Sequence, residues 1–370
     1  MWKYFQPVEV IFGNKEIRNL GIYLEQKGLT KALLITDPIV VQLGLADYLK
    51  KVANGRILDI ITDVEPNPTI HNVNNCVTKL KEVGAECVIA VGGGSSIDCA
   101  KAVCVAAFSN YTGEDLMNGK PIIGSLPLIA LPTTAGTGSE VTSVTVLSWK
   151  EEKKKVAIGN PLLYPKLAII DPELTYTCPP SVTATSGIDV LAHALDSLGS
   201  VKSNAITEAL AVRAASIAFK NLITVFNDAK DAVAREQMAL ASLLAGLAFS
   251  QTGTTGSHAC SYILTSKYNV PHGEACAFTL DSWYKINAKI NPKLNGYAKE
   301  IGFENAEALA DELNKLKKQI GLRTTLSAIG VTELELDEVV AECLIAANMP
   351  NNIAQIDATG VKEIFLSKTV

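Results

Sequence analysis

The chain has 370 residues, a formal net charge of −5 and 48% hydrophobic residues. This length predicts two domains, and the hydrophobic content is sufficient for two cores. An acidic chain without a basic stripe has no general attraction to nucleic acid, so we expect no nucleic-acid partner. The N-terminal segment lacks the apolar run of a signal peptide, and no uninterrupted run of about 18 apolar residues follows. We therefore expect a cytoplasmic protein without a membrane partner.

In the first half of the chain, short apolar runs alternate with amphipathic segments. The runs that we predict to be buried strands are 31–36, 57–62, 87–91 and 128–131. The segments with helical period are 39–52, 69–83 and 96–107. Alternation of strand and helix predicts a mostly parallel sheet with helices on both faces.

The pattern changes near Cys178-Pro179-Pro180-Ser181, and helical period dominates from there on. The clearest helical segments are 203–227, 231–249 and 306–320. Ser181 after two prolines is a favourable helix cap, so we place the domain boundary there. The prediction is an α/β domain over 1–180 and a helical domain over 181–370.

The cysteines occur singly, without a C-x-x-C pair, which predicts reduced thiols in the core. They are Cys76, Cys87, Cys99, Cys104, Cys178, Cys260, Cys276 and Cys343.

A glycine-rich turn, Gly92-Gly93-Gly94-Ser95-Ser96-Ile97-Asp98, lies between the strand that ends at Val91 and a helix. Glycines allow the backbone to approach a phosphate closely, and amides at a helix start can bind it. The run departs from the G-x-G-x-x-G fingerprint, and an ordinary structural turn is the alternative. A second polar turn, 133–140, follows the next buried strand, and two such turns at the carboxyl ends of strands predict a ligand site.

Asp37 ends an earlier strand, where a carboxylate can bind the ribose hydroxyls of NAD and disfavour NADP. A turn residue before Pro38 is an equally good interpretation. The basic run Lys153-Lys154-Lys155 predicts a solvated hairpin or loop, one lysine of which could reach a phosphate.

Asp189 and His193 are four residues apart in a helical segment, so both side chains lie on one helix face. His258 is followed fourteen residues later by His272. One carboxylate and three imidazoles without a cysteine predict an open catalytic site for a divalent metal such as iron or zinc. The alternative is that each histidine is simply a satisfied or exposed side chain.

Taken together, these motifs resemble the iron-containing, or group III, alcohol dehydrogenases along essentially the whole chain. The resemblance also includes Glu65-Pro66-Asn67-Pro68 and Asp171-Pro172-Glu173-Leu174. It implies a Rossmann-like α/β dinucleotide-binding domain followed by an all-α domain, the architecture of dehydroquinate synthase. It also implies NAD and a divalent metal as cofactors, with Fe²⁺ favoured over Zn²⁺, Ni²⁺ or Mn²⁺.

By the same resemblance, Asp189, His193, His258 and His272 are the metal ligands. The positions that match the family's cofactor contacts are Asp37, Asn67, Gly93, Gly94, Ser95, Asp98, Thr133, Thr134, Thr137 and Lys155.

Three positions depart from the family pattern. Tyr262 stands where many members have a histidine that assists proton transfer, so Tyr262 and His258 are our candidate catalytic residues. A phenol is a poor base at neutral pH unless the metal lowers its pKa. Cys276 replaces the usual asparagine four residues after His272, and the usual acid after the second ligand is the shorter Asp196.

The resemblance implies hydride transfer between NADH and a small aldehyde, with the metal acting as a Lewis acid. The segment 261–268 resembles the subgroup that reduces anionic aldehydes such as sulfoacetaldehyde or phosphonoacetaldehyde, and Lys267 is a candidate for the anion. A cyclase of the dehydroquinate synthase type is a less favoured alternative, because the chain lacks a basic cluster near its candidate ligands. An inactive binding protein is less favoured still. The resemblance suggests a homodimer or larger homo-oligomer.

Overall fold

The computed structural model describes residues 1–152 and 154–369, and Lys153 of the basic run lies outside them. By contacts the chain divides into two units. The sheet unit contains 6–134 and 138–175. The helical unit contains 1–5, 135–137 and the chain from Tyr176 onward.

The sheet unit holds every strand of the described chain. The strands are β1 (Glu9–Phe12), β2 (Ala32–Ile35), β3 (Ile57–Ile61), β4 (Cys87–Gly92), β5 (Leu128–Pro132), β6 (Val144–Trp149), β7 (Lys154–Gly159) and β8 (Leu167–Ile170). Its helices are α1 (Leu20–Gln26), α2 (Pro38–Gln42), α3 (Leu45–Val52), α4 (Ile70–Val83), α5 (Gly94–Ser109) and α6 (Gly113–Met117).

The main sheet is parallel, with strand order β1-β8-β5-β4-β2-β3, whereas β6 and β7 form a separate antiparallel hairpin. The alternating residues of β2 separate the cores on its two faces. Leu33 and Ile35 pack with α4 and α5, and Ala32 and Leu34 pack with α1 and α3. The predicted parallel sheet with helices on both faces is therefore confirmed.

Local sequence explains most element boundaries in this unit. Helix α4 begins with a capping box between Thr69 and Asn72 and ends at Val83, followed by the C-cap residue Gly84, whose φ is +65°. The single helix predicted over 39–52 is wrong, because Gly44 at φ +71° separates α2 from α3. The predicted hairpin is confirmed for Lys155, which lies on β7.

The helical unit consists of α-helices joined by short connections. They are α7 (Pro180–Leu198), α8 (Ala205–Asn227), α9 (Ala232–Thr252), α10 (Gly256–Ser266), α11 (His272–Ile290), α12 (Lys293–Ile301), α13 (Ala306–Gln319), α14 (Leu326–Ile329), α15 (Leu336–Ile345) and α16 (Ala358–Leu366). The predicted cap at Ser181 is wrong. Helix α7 begins one residue earlier, at Pro180, because a proline fits the first helical position, where no N–H partner is needed.

Helices α8 and α9 are long and apolar enough to cross a membrane by length and composition alone. However, 50% and 56% of their apolar windows are buried inside the protein. Residues of α7, α8, α9 and α11 share one hydrophobic core, and residues of α10, α11, α15 and α16 share a second. Helices α8 and α9 are therefore packed as core helices of a soluble protein are.

Candidate active site

The candidate metal ligands come from separate helices of the helical unit. Asp189 lies on α7, His258 on α10, and His272 is the first residue of α11. One ligand atom from each of these residues and the Sγ of Cys276 all lie within 4.8 Å of one another. The structure therefore adds a cysteine to a donor set that was expected to have none. His272 and Cys276 are four residues apart, so the helical spacing used for Asp189 and His193 could have revealed it.

Helix α11 can begin close to α7 only because Gly273 follows His272. A Cβ at Gly273 would overlap the carbonyl oxygen of Thr185 and lie 2.9 Å from the Cβ of Asp189. Glycine at this position thus permits the contact that places His272 beside Asp189.

His258 is oriented by a buried carboxylate. Its Nδ1 lies 2.8 Å from Oδ2 of Asp196, and Asp196 also accepts hydrogen bonds from the N–H of Thr255 and the hydroxyl of Ser257, each at 2.8 Å. Because this carboxylate accepts from Nδ1–H, Nε2 is the nitrogen of His258 that would ligate a metal. Burial opposes protonation of His258, but Cys276 and Asp196 outweigh it and raise the pKa of the imidazole.

His193 lies next to this group but outside the compact set of four. Its Nδ1 is 3.2 Å from the carbonyl oxygen of Gly136, and its ring stacks on Phe249 with centroids 4.0 Å apart. Because a carbonyl can only accept, Nδ1 carries the proton and Nε2 carries the lone pair. Burial lowers the pKa of His193, which keeps the ring neutral.

Two polar atoms at the centre of the group are buried and, among the described residues, have no hydrogen-bond partner. They are Oδ1 of Asp189 and Nε2 of His258, which are 3.8 Å apart. Burial raises the pKa of Asp189 to about 7. Two buried ligand atoms without a partner carry an energetic penalty that a bound cation would remove, so these residues fit a divalent metal.

Tyr262 lies one helical turn after His258 on α10, so both side chains project from the same face. The tyrosine side chain is 37% exposed. Desolvation raises the pKa of its phenol above the usual value.

In the sheet unit, the glycine-rich turn joins β4 to the start of α5. Among the described residues, no side chain caps this helix end at Gly93. Gly92 has φ +145°, and a Cβ there would lie 2.9 Å from Oδ2 of Asp37 and would overlap the side chain of Ser96. An uncapped helix start beside a turn this compact suits a pyrophosphate.

Asp37 caps a short helix as well as facing this turn. Its Oδ1 accepts from the N–H groups of Ile39 and Val40, and its Oδ2 lies 3.5 Å from the hydroxyl of Ser96. The cap is the alternative role that the sequence left open, and Oδ2 points toward the glycine-rich turn.

Asn67, Ser95 and Lys155 are brought together. The N–H of Asn67, a residue with φ +57°, donates to Oγ of Ser95 at 3.2 Å. The ammonium of Lys155 donates to Oδ1 of Asn67 at 2.9 Å.

The side chain of Thr134 lies beside Gly93, and the N–H of Thr133 donates to the Gly92 carbonyl. Thr137 belongs to the helical unit.

Asp98 is bound within the protein. Its carboxylate accepts from the Ser139 hydroxyl at 2.5 Å and from the Val146 N–H at 2.9 Å. Burial raises the pKa of Asp98, and it lowers that of the neighbouring Lys101 to about 8. Lys101 donates to Thr142 and Val144. These buried contacts fix α5 to β6. The sequence analysis did not identify Lys101 as a residue that makes them.

The hydroxyl-rich segment before Tyr262 is largely occupied by internal hydrogen bonds. The Ser257 hydroxyl donates to Asp196 at 2.8 Å and the Ser261 hydroxyl donates to the His258 carbonyl at 2.7 Å. Thr255 donates to Asp196 through its backbone N–H, and its hydroxyl has no hydrogen-bond partner among the described residues. Lys267 forms ion pairs with Glu338 at 2.6 Å and Glu335 at 3.3 Å. The structure thus gives Lys267 carboxylate partners, and Thr255 at the start of α10 makes no side-chain cap hydrogen bond.

Comparison with known proteins extends these observations over the whole chain. The family model described as iron-containing alcohol dehydrogenase matches residues 7–172, and the model for the C-terminal part of this family matches 183–369. Alcohol dehydrogenase 4 of Schizosaccharomyces pombe is 33% identical over 98% of this chain and 88% of its own. The 1-propanol dehydrogenase PduQ of Salmonella typhimurium is 34% identical over 90% of this chain and 91% of its own.

Among solved structures, a sulfoacetaldehyde reductase from Bifidobacterium kashiwanohense, crystallised with NAD⁺, is similar with a TM-score of 0.96. It is 37% identical, and the match covers 100% of this chain and 98% of that one.

The fold and the site define a metal-dependent oxidoreductase of the dehydroquinate synthase-like architecture. The chain belongs to the iron-containing alcohol dehydrogenase family. The predicted family, fold class and enzyme class are confirmed.

Proposed function

We propose that this chain reduces a small aldehyde with NADH, and oxidises the corresponding alcohol with NAD⁺, at a divalent metal held by its helical unit. One observation carries the proposal. Oδ1 of Asp189 and Nε2 of His258 are buried and unpartnered within the described chain, inside a group of four metal-ligating side chains. Because the chain belongs to an alcohol dehydrogenase family, we assign these four side chains to the site where an alcohol is oxidised or an aldehyde is reduced.

We propose Asp189, His193, His258 and His272 as metal ligands, as the resemblance implies. In both His193 and His258 the nitrogen that faces away from the hydrogen-bonded oxygen is Nε2, which supports ligation through that atom. When bound, the metal supplies a Lewis acid for the substrate oxygen, and the nicotinamide supplies or accepts the hydride. The family's name favours iron, although nitrogen and oxygen donors also accept Zn²⁺, Ni²⁺ and Mn²⁺.

We propose that the sheet unit binds the cofactor at the start of α5. The uncapped amides at Gly93 and Gly94 suit the pyrophosphate, and the group formed by Asn67, Ser95 and Lys155 lies beside them. Asp37 suits the ribose hydroxyls, which favours NAD over NADP. The NAD⁺ complex of the Bifidobacterium relative supports NAD as the cofactor. Thr133, Thr134 and Thr137 complete the proposed cofactor-binding residues. We propose that Asp98 contributes to cofactor binding indirectly, by holding α5 in place.

The protein's own groups orient the reactants and carry the proton. Asp196 accepts from Nδ1–H of His258, which leaves Nε2 as the nitrogen for the metal. We assign Tyr262 the proton relay, because its phenol is the titratable group one turn from His258 and is in part exposed to solvent. Its raised pKa means that it donates a proton to the product oxygen more readily than it removes one from an alcohol.

A small anionic aldehyde is the second candidate substrate. The observation that favours it is the full-length similarity to the Bifidobacterium sulfoacetaldehyde reductase. Lys267 is not the anion's partner in this proposal, because Glu335 and Glu338 already neutralise it. A comparison of kcat/KM for propanal, sulfoacetaldehyde and phosphonoacetaldehyde separates the candidates, and equal values would remove the case for an anion site.

The experiment that tests the proposed function is NADH oxidation with a panel of small aldehydes. Metal-stripped protein is compared with protein reconstituted anaerobically with Fe²⁺, Zn²⁺, Ni²⁺ or Mn²⁺. We expect turnover that requires metal. Absence of turnover with every metal, despite NAD binding, would favour a cyclase or a non-catalytic role. A cytoplasmic location and a homodimer or larger assembly stay predictions.

A further inference from the structure

We infer that the Cys276 sulfur is itself a ligand of the bound metal, so that the donor set combines oxygen, nitrogen and sulfur. This inference rests on the proposed metal site and deepens it. Cys276 lies on α11 one turn after His272, and its side chain is completely buried. The resemblance to the family assigns no such role to this position, where asparagine is usual.

Contacts on three sides support the assignment. The Sγ of Cys276 lies 3.8 Å from Nδ1 and 3.7 Å from Nε2 of His272. A ligand atom of Asp189 and one of His258 also lie within 4.8 Å of this sulfur. Its sulfur therefore lies among the other donors, and all four ligand atoms fit within 4.8 Å of one another. A single ion bonded to all of them requires separations of this order.

The chemistry of a thiol suits this position. A thiol near a divalent ion loses its proton, and the resulting thiolate binds the metal at about 2.3 Å for zinc. The proton passes to solvent, the metal–sulfur bond forms, and no group changes its oxidation state. Because thiolates are softer donors than amides or carboxylates, Cys276 should shift the preference of the site toward Zn²⁺ or Co²⁺ and away from Mn²⁺.

His193 and Cys276 differ in a way that the test can use. The His193 ring is fixed by the Gly136 carbonyl and by stacking on Phe249, outside the compact set. Cys276 lies inside that set. We therefore expect His193→Ala to retain a metal–sulfur bond, whereas Cys276→Ser removes it.

The experiment is X-ray absorption of the full-length protein loaded with Zn²⁺, together with electronic absorption of the Co²⁺ form. The variants are Cys276→Ser, Cys276→Asn, His193→Ala and, as matched control, Cys178→Ser, which changes a cysteine of the helical unit that is not among the four donors. We expect a sulfur shell at about 2.3 Å and a thiolate-to-cobalt charge-transfer band in wild type and in the control. Both signals should vanish in either Cys276 variant, with zinc lost to a chelator at least about tenfold more easily.

The outcomes separate this inference from the proposed function. Stoichiometric metal with only nitrogen and oxygen neighbours in the wild type overturns the role of Cys276 and leaves the metal site intact. Failure of the wild type to bind any metal overturns both. The decisive spectrum is that of the wild type, so misfolding of a variant would not change the result.

Discussion

Asp196 and His258 form the contact that orders the candidate metal site, with Oδ2 of Asp196 and Nδ1 of His258 2.8 Å apart. Both side chains are buried, at 2% and 3% exposure. Asp196 is itself held by the Thr255 N–H and the Ser257 hydroxyl. The orientation of His258 therefore depends on a carboxylate that does not belong to the proposed ligand set.

We predict that Asp196→Asn weakens metal binding by about 10–100-fold, because partners of a metal-ligating histidine typically contribute this much. An amide can still accept a hydrogen bond from Nδ1 but lacks the negative charge. Measurement of metal content after dialysis against a graded chelator, beside kcat/KM, checks it. Ser257→Ala, which removes one hydrogen bond to Asp196 but keeps its charge, should have a smaller effect. Unchanged metal retention in Asp196→Asn would contradict the prediction.

We predict that Gly273→Ala destabilises the protein by at least about 1–3 kcal/mol, the usual cost of an added methyl group in a packed site. The new Cβ would overlap the Thr185 carbonyl and press on Asp189. The matched control is Gly296→Ala on α12, where a Cβ meets nothing within 4 Å and should stabilise by about 0.5–1 kcal/mol. Denaturant unfolding of both variants gives the two free energies. Equal effects would show that α11 does not depend on this close contact.

We predict that Asp281→Asn destabilises the fold by about 3–5 kcal/mol, since it leaves two buried ammonium groups without a counterion. Asp281 pairs with Lys317 at 2.7 Å and with Lys368. The exposed pair of Asp337 and Lys362 is the control, and Asp337→Asn should change stability by less than about 1 kcal/mol. Urea unfolding at neutral pH measures both. Similar small losses would mean that the buried group contributes little.

The Asp281 carboxylate should also make the free energy of unfolding depend on pH. Although burial opposes ionisation, Lys317 and Lys368 hold the pKa of Asp281 well below its usual value of 3.8. The unfolded state therefore binds a proton at higher pH than the folded state does, so stability falls with acidity. The contribution is complete above about pH 4 to 5 and is lost as the pH falls toward the folded-state pKa. Asp281→Asn should flatten the acid limb of the unfolding free energy, and an unaltered limb would contradict this.

We predict that Tyr262→Phe lowers kcat by about 10²-fold or more without loss of metal, because it removes the proposed proton relay and no proposed ligand. The pH dependence of kcat should lose the limb that reports this group, whose pKa lies above the usual value. Tyr48→Phe on the exposed surface of α3 serves as control. Full activity of the Tyr262 variant at every pH would assign the relay elsewhere.

Sequence predicted the parts of the fold that depend on local pattern. The strands β2 to β5 and the helices α4, α5, α8, α9 and α13 follow from apolar period. The strands β1 and β8 carry no comparable signal. Each has four residues, and Glu9 pairs with Leu167 across more than 150 residues, a contact that no local pattern specifies.

The candidate site shows the same division. Helical spacing placed Asp189 and His193 on one face, and the same spacing applies to His272 and Cys276. The close approach of α11 to α7 at Gly273 is a tertiary contact, which helical spacing does not predict. The hydrogen bonds of Asp98 and Lys101, and the ion pairs that occupy Lys267, are likewise tertiary contacts. Composition and spacing contain no information about them.

The most direct test of a metal-dependent reductase is calorimetric titration of Zn²⁺ or anaerobic Fe²⁺ into metal-stripped wild type and into His258→Ala and His272→Ala, with NADH oxidation measured on the same samples. We expect one tight metal per wild-type chain, turnover that rises in proportion to bound metal, and loss of both in folded variants. Full aldehyde reduction by metal-free, well-folded protein would contradict the proposed function.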